Sequence, residues 1–405
     1  MNAPILVINC GSSSLKYALI PAVSGQPRLS GIAERLGSDR AILRLRNLQG
    51  EKTTIELPGA SHGDALKVIL DNLGSCRPIA IGHRVVHGGE RFTQATLIDQ
   101  DVVQDIRETT TLAPLHNPAN LEGIAATQEL FPGLPQVAVF DTAFHQTLPA
   151  YAYRYAIPAE LYERHGIRRY GFHGSSHAYV AERLSILSAQ GRGGWIIAHL
   201  GNGASATAIW QGQSIDTSMG MTPLEGLVMG TRSGDIDPGI LLHLMHQCGW
   251  SSHDIDQLLN HRSGLLGLSG LTNDMRELEQ SAAEGHAGAK LAIDVFCYRL
   301  AKSIAGLSCA LPMLHGLAFT GGIGENSPLI RARTLTYLTH LGVHLSPNSN
   351  GELSHGMEGR IDVGRGLELW VIPTDEEGYI AVQTRHLLDN MSDTPASCHP
   401  QEVPA

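Results

Sequence analysis

Residues 6–16, Leu-Val-Ile-Asn-Cys-Gly-Ser-Ser-Ser-Leu-Lys, run an apolar strand into a small, hydroxyl-rich turn that ends on a lysine. The groups in it suit phosphate. Gly11 lets the backbone bend and approach an anion, Ser12, Ser13 and Ser14 offer hydroxyl donors, and Lys16 brings a mobile positive charge. Residues 17–20, Tyr-Ala-Leu-Ile, read as a return strand, which makes a hairpin with a phosphate-sized tip. A Walker P-loop is excluded, because none of Lys16, Lys52, Lys67, Lys290 and Lys302 follows a glycine. An ordinary hairpin with a polar turn has the same local pattern, but residues 196–210 repeat the plan half a chain later. There Gly201 aligns with Gly11, and Gly203 follows in a second glycine-rich tip. Two such clamps suggest a duplicated domain that holds a polyphosphate. A third glycine-rich turn, residues 321–327, follows the apolar run 317–320. It misses the Gly-x-Gly-x-x-Gly pattern by ending in Ser, and no acidic residue stands after a second strand to hold a ribose.

Other polar groups stand where a core would not choose them. Arg84 ends a strand just before Gly88-Gly89, although an arginine so placed can equally form a surface ion pair. Asp141 follows the apolar run 136–140, at the strand end where open α/β sheets bind ligands, and where a helix cap is also common. Residues 171–177, Gly-Phe-His-Gly-Ser-Ser-His, have no Gly-x-Ser-x-Gly and no strand leading in, which rules out a hydrolase nucleophile elbow. They read as a glycine turn and a Ser-capped helix from Ser175, with His173 just ahead of it. Residues 216–239 are dense in glycine and small polar residues and read as a long ordered loop, the kind that carries function.

These groups must be positioned by a chain of 405 residues, long enough for two domains with separate cores. A net charge of -10 with scattered Lys and Arg argues against a nucleic-acid surface. The six cysteines form no CxxC pair and no zinc spacing, which suits a reducing, cytoplasmic setting. No basic leader and no apolar stretch of roughly 18 residues is present, so neither a targeting segment nor a membrane partner is expected. Residues 392–405 read as a polar tail.

Strand-like runs at 5–8, 17–20, 80–84, 136–140, 195–199, 206–210, 317–320 and 367–372 alternate with helical stretches such as 62–72, 117–130 and 290–311. This is an α/β pattern, and its mixture of hairpins and crossovers predicts a five-stranded mixed sheet in each half. The boundary is expected within 143–170, and the chain should return to the first domain near Glu377 through a helix over 378–389. The expected domains are thus 1–148 plus 378–405, and 149–377.

Taken together and in order, Asn-Cys-Gly-Ser-Ser-Ser-Leu-Lys, His-Arg-Val-Val-His-Gly-Gly, Phe-Asp-Thr-Ala-Phe-His, Tyr-Gly-Phe-His-Gly-Ser-Ser-His, His-Leu-Gly-Asn-Gly, Gly-Thr-Arg-Ser-Gly-Asp-Ile-Asp-Pro and Gly-Gly-Ile-Gly-Glu-Asn strongly resemble the acetokinase family of acetate and propionate kinases. The resemblance implies the duplicated ribonuclease H-like fold of sugar kinases, actin and heat-shock ATPases, with an interdomain nucleotide cleft. It implies reversible phosphoryl transfer from ATP to acetate giving acetyl phosphate and ADP, with Mg²⁺ or in its place Mn²⁺, in a homodimer. By matching motif, Asn9 and Glu376 are associated with the metal, and Ser12, Ser14 and Lys16 with the phosphates. Asp141 is the residue the family treats as catalytic; Arg84, Arg232 and His173 bracket the carboxylate and the phosphoryl group. The implied nucleotide contacts are His199, Leu200, Gly201, Asn202 and Gly203, then Asp274, Met275 and Arg276, then Gly322, Ile323, Gly324, Glu325 and Asn326. Val86, Leu115, Phe172 and Pro223 form the implied pocket for the methyl group.

The chemistry agrees with these roles, since transfer between two oxyanions rests on positioning and charge stabilisation. A carboxylate nucleophile carries no proton to remove at pH 7, so Asp141 is expected to orient Arg84 or the metal shell rather than act as a general base. One departure stands out: the family's Asn-Glu-Glu is Asp375-Glu376-Glu377 here, an added carboxylate beside a hard cation's ligand. Propionate kinase remains an alternative, because one methylene is worth only ~1–3 kcal/mol in such a pocket. A non-catalytic, actin-like ATP-dependent switch is the other alternative, and it would not need Arg84, Asp141, His173 and Arg232 together.

Overall fold

Leu, Ile and Val fill both faces of the central strands, the composition of a sheet covered by helices on each side. The structure, a computed structural model, describes residues 3–21, 29–47, 50–73, 77–114 and 116–392. Leu115 and residues 393–405 of the expected tail lie outside these. Two compact units result. The first contains the chain to Gly88, Gln94–Phe140 and the chain from Glu377; the second contains Gly89–Thr93 and Asp141–Glu376.

The first unit holds β1 (Ile5–Gly11), β2 (Ser14–Ile20), β3 (Leu29–Glu34), β4 (Ile42–Asn47), β5 (Lys52–Glu56), β6 (Ala80–Val85), β7 (Thr96–Leu97) and β8 (Gln136–Phe140). They form one sheet in the order β5-β4-β3-β2-β1-β6-β8-β7. Side chains alternate across β1. Leu6, Ile8 and Cys10 join a core with Leu66 and Ile69 of the helix His62–Asn72, while Ile5 and Val7 pack with Ile380 and Ala381 of the helix Glu376–Ser392. The helix Asn117–Leu130 covers the Cys10 face. A Cβ at its Gly123 would lie 2.4 Å from Cys10 Sγ, so only glycine permits that approach. The helix His62–Asn72 begins at Ser61, whose Oγ accepts from Asp64 N at 3.2 Å while Asp64 Oδ2 accepts from Ser61 N at 3.0 Å. Such a reciprocal cap contributes about 1 kcal/mol.

The second unit holds β9 (Gly194–Leu200), β10 (Ala204–Trp210), β11 (Gln213–Thr217), β12 (Gly316–Thr320), β13 (Gly359–Arg360) and β14 (Glu368–Val371), in the order β11-β10-β9-β12-β14-β13. Its plan repeats the first. In β3-β2-β1-β6-β8 and in β11-β10-β9-β12-β14 alike, two antiparallel pairings are followed by two parallel ones. The expected five strands are therefore the shared centre of larger sheets. The first has eight strands and the second six, because β4, β5, β7 and β13 add edges. Edge strands such as Lys52–Glu56 are largely exposed and charged, so no apolar run marks them in the sequence.

Three local expectations are corrected. Residues 321–327 are not a turn: Gly321–Asn326 is a short helix that follows β12 directly. The long loop is shorter at both ends, since Asp216 and Thr217 close β11 and the helix Pro238–Cys248 begins at Pro238. The helix expected at 290–311 is Ala287–Ser308, drawn upstream by His286, whose Nδ1 accepts from Ala289 N at 3.0 Å. Among the described residues no helix is long and apolar enough to cross a membrane.

Candidate functional site

In the first unit the β1–β2 pairing places Asn9 opposite Lys16 and Gly11 opposite Ser14, so all four share one sheet face, with Ser12 and Ser13 making the tip. At Gly11 a Cβ would stand 2.9 Å from Ser14 Oγ, so a larger residue would displace that hydroxyl. Ser12 and Lys16 are exposed and Asn9 is half-buried. Asn9 Oδ1 accepts from Arg84 Nη1 at 3.3 Å, which joins the hairpin to the end of β6. Val86, just beyond β6, is buried.

Three groups unmarked in the sequence hold this arrangement. Asn120 Nδ2 donates to Cys10 O at 2.8 Å and its Oδ1 accepts from Val86 N at 3.0 Å, tying β1 to the segment after Arg84. Asn117 does the same for His87, accepting from its N at 3.1 Å and donating to its O at 2.9 Å. His62 Nε2 lies 2.8 Å from Gly11 O. Only the Asn-x-x-Asn spacing on one helix face hinted at the pair. His83, by contrast, is a core residue: Nε2 meets Gln136 Oε1 at 2.9 Å, and burial pushes its pKa down to about 4.

In the second unit Asp141 is buried and immediately follows β8, its carbonyl accepting from Gly174 N at 3.0 Å. The helix Gly174–Leu187 can start there only because Gly174 lacks a Cβ, which would fall 2.1 Å from that carbonyl. His173, just before the helix, has the left-handed backbone φ 57°, ψ 27°. For a non-glycine residue this costs of order 1–3 kcal/mol, and it is held by the packing around it. His173 Nδ1 lies 2.9 Å from Ser205 Oγ on β10, and its ring stacks on His199 at 4.3 Å between centroids. Buried around them are His177, with Nε2 2.8 Å from Ser205 Oγ, and His145, with Nδ1 2.8 Å from Ser214 Oγ. Burial lowers the pKa of His145 to about 4 and drives that of His177 well below the ordinary histidine range.

Arg232 comes from the irregular stretch between β11 and the helix Pro238–Cys248. That stretch is braced by Arg169, whose Nη1 donates to the carbonyls of Thr217, Ser218 and Met219 at 2.9, 3.0 and 3.0 Å and whose Nη2 meets Glu225 at 2.6 Å. Arg232 Nη1 donates to Pro223 O. Among the described residues it makes no ion pair, and burial lowers its pKa to about 10, leaving it charged at neutral pH. A Cβ built at Gly203 would lie 2.8 Å from Arg232 Nη2 and 3.3 Å from His173 Nε2. The glycine thus leaves open a cradle walled by a guanidinium and an imidazole. Phe172 is buried and Pro223 half-buried in this unit.

The remaining nucleotide-contact candidates fall into linked segments. Asn202 Oδ1 accepts from Asn273 Nδ2 at 2.8 Å, joining the β9–β10 tip to Asp274, which caps the helix Met275–Ala283 and pairs with exposed Arg276 at 2.5 Å. Leu200 and Met275 are buried core side chains, and Gly201 N donates to Gly203 O at 2.9 Å. Ile323 and Gly324 lie within the helix Gly321–Asn326, near its Gly322. Glu325 Oε1 accepts from Gly321 N at 2.9 Å and Thr374 N at 3.0 Å, so this oxygen serves the backbone. Asn326 is likewise engaged, with Gly322 O and His355 N. Arg331, fully buried and unremarked in the sequence, donates to the carbonyls of Gly324, Glu325, Asn350 and Leu353 and to Asn350 Oδ1 at 2.7–2.9 Å. It locks that helix from its C-terminal end.

Two units on one five-strand plan, each with a polar hairpin tip, and a buried arginine without an ion pair among the described residues beside a histidine, define a phosphotransferase of the duplicated, actin-like ATPase fold. The chain matches the Acetokinase family over residues 4–382. It is 57% identical over 390 residues to an acetate kinase of Pseudomonas aeruginosa, covering 95% of this chain and 99% of that one. An acetate kinase of Deinococcus radiodurans is 54% identical over 385 residues, 94% and 96% of the two chains. Among solved structures, a propionate kinase from Francisella tularensis superposes with a TM-score of 0.91 at 46% identity, covering 95% and 99%. The acetate kinase of Porphyromonas gingivalis gives 0.90 at 42%, covering 95% and 100%. The chain belongs to the acetokinase family.

Proposed function

We propose that the protein is an acetate kinase, which transfers the γ-phosphoryl group of ATP to acetate to give acetyl phosphate and ADP, reversibly. The observation that carries this reading is the Gly203 cradle. Arg232 is a buried cation with no ion pair among the described residues, and its Nη2 and His173 Nε2 converge on the position a Cβ would take at Gly203. A tetrahedral oxyanion satisfies both donors, and charge spreading over the oxygens of a transferring phosphoryl group is stabilised in place. Ser12, Ser14 and Lys16 line the phosphates with a hydroxyl-rich tip, and Arg84 holds an oxyanion by its guanidinium. Val86, Phe172 and Pro223, with Leu115, are assigned to the methyl group. Asp141 has no proton to take from a carboxylate nucleophile and is assigned to orienting its charged neighbours.

Each of the two groups assigned to magnesium offers an oxygen of the kind this cation takes. Asn9 Oδ1, already beside Arg84, keeps a second lone pair, and Glu376 opens the helix Glu376–Ser392 half-buried. A cation that retains several waters and takes phosphate oxygens needs only one or two such protein groups. Bound there, Mg²⁺ or Mn²⁺ would supply neutralising charge at the β- and γ-phosphates. Asp375 adds a further carboxylate next to Glu376. We assign the protein to the cytoplasm and to a homodimer. The helix Pro238–Cys248 has no buried residue and exposes Ile240, Leu242 and Met245, a face that a second copy would cover. Leu242→Glu is expected to shift the sedimentation coefficient from dimer to monomer, and an unchanged value would remove this face from the interface.

The test of function is hydroxylamine trapping of acyl phosphate with MgATP and acetate, propionate or butyrate, compared by kcat/KM. Acetate is expected to be best. A propionate preference, the activity named for the Francisella tularensis neighbour, would reassign only the acid. Acyl phosphate from none of the acids would overturn the kinase reading.

A further inference from the structure

One hydroxyl bridges two histidines in the second unit, and proton counting fixes what it must do. Ser205 Oγ stands 2.9 Å from His173 Nδ1 and 2.8 Å from His177 Nε2. It has a single proton to donate and lone pairs to accept with, and a neutral imidazole likewise has one N–H and one bare nitrogen. His177 is fully buried, with the rings of His145 at 5.7 Å and His199 at 6.4 Å between centroids, and burial keeps it neutral. Its Nδ1 is buried and has no hydrogen-bond partner among the described residues.

Two proton arrangements follow. With the His177 proton on Nδ1, a buried N–H points at no acceptor, the costlier kind of unsatisfied group. With it on Nε2, the N–H donates to Ser205 Oγ and only a lone pair is left bare. The second arrangement leaves the Ser205 proton for His173 Nδ1. A neutral His173 that accepts at Nδ1 must carry its own proton on Nε2, the nitrogen that borders the open position at Gly203 beside Arg232 Nη2. The stacked His199, 4.3 Å away, is itself held through Nδ1, 2.8 Å from Ser176 Oγ.

We propose that Ser205 and His177 are positioning residues that set the tautomer of His173, presenting an Nε2–H donor rather than a lone pair to the transferred phosphoryl group. The inference rests on the phosphoryl-transfer reading for its purpose, but not for its proton geometry. A lone pair at Nε2 would repel a phosphoryl oxygen where an N–H binds it, so the tautomer decides whether His173 assists or opposes the reaction. No proton is transferred in this role; the donor is in place before substrate arrives.

The experiment is long-range ¹H–¹⁵N correlation spectroscopy of the full chain labelled at histidine, with His173 assigned by the signal lost in His173→Gln. In the resting wild type, Nδ1 of His173 is expected at the bare-nitrogen shift and Nε2 at the protonated shift. A protonated Nδ1 overturns the proposal. In Ser205→Ala the His173 signals should move toward a mixture of tautomers. The variant's kcat should fall about tenfold, with KM for ATP and acetate within about threefold and a melting temperature lowered by a few degrees because His177 loses its acceptor; Ser205→Thr should restore the signals, the kcat and the melting temperature. Unchanged tautomer and kcat in Ser205→Ala would also overturn it. Because the tautomer is read without substrate, absence of acyl phosphate formation would reject the kinase reading while leaving the protonation of His173 as measured.

Discussion

Replacing Gly203 with alanine should separate activity from stability. The new methyl carbon would stand 2.8 Å from Arg232 Nη2 and 3.3 Å from His173 Nε2. An unstrained contact needs about 3.5 Å, so the guanidinium must withdraw by roughly 0.7 Å. The end of a long side chain can move, which keeps the folding cost small, but withdrawal pulls against the bond to Pro223 O that aims it. A misplacement near 1 Å costs about 10²-fold in rate, or about 2.7 kcal/mol of barrier. Gly203 does not have a positive φ, so alanine suits its backbone and should add about 0.4–1 kcal/mol of stability through the unfolded state. The expected outcome is a kcat for acetyl phosphate formation lower by about two orders of magnitude, with a melting temperature unchanged or raised. Gly306→Ala, in a helix position with nothing within 4 Å of the added methyl, is the control and should keep its rate. A Gly203→Ala enzyme within threefold of wild-type kcat would refute the cradle.

Asp141→Asn keeps shape and removes charge; kcat should drop at least tenfold in the same assay, and retention of most activity would contradict an orienting role. Arg331→Met leaves five acceptors around a buried site without a donor, so urea denaturation should show a loss of about 3–5 kcal/mol. His83 and His145 are held near pKa 4 in the folded state against 6.5 in the unfolded, so on acidification the unfolded chain binds protons first. Stability is full above pH 6.5 and falls as pH drops toward 4, by up to about 3 kcal/mol for each histidine. Urea midpoints measured from pH 7.5 to 4.5 should show this limb, and His83→Gln should make it shallower.

Much of the frame was legible because burial on two faces writes itself as unbroken apolar runs. β1, β6, β8, β9 and β12 all come from such runs, and the helices His62–Asn72 and Asn117–Leu130 start at a Ser–Asp cap and an Asn-Pro pair. The strands β3, β4 and β5 were not legible, since polar and charged residues break up their apolar runs and their stability comes from the neighbouring strand. Gly321–Asn326 misled for a different reason. Four residues of that segment suit a turn, and the groups that stabilise it as a helix, Glu325 through Thr374 and Arg331 through Asn350, meet only once the fold is made. The glycine and histidine motifs marked both hairpin tips and the cradle. The residues that aim them did not stand out, because Asn120 and Ser205 look like any polar residue until Cys10, 110 positions away, or His173, 32 positions away, is brought alongside.

The helix Glu376–Ser392 completes a core whose first members, Ile5, Val7 and Ala18, are made some 360 residues earlier. During synthesis those first strands therefore wait, their apolar face uncovered, until that helix leaves the ribosome. The second unit, encoded as one nearly continuous segment, receives its last strand, Glu368–Val371, only five residues before that helix begins. The two sheets are therefore completed almost together, at the end of synthesis, rather than one after the other in gene order. A chain ended just before Glu376 would hold every strand of both sheets yet leave Ile5, Val7 and Ala18 without this cover.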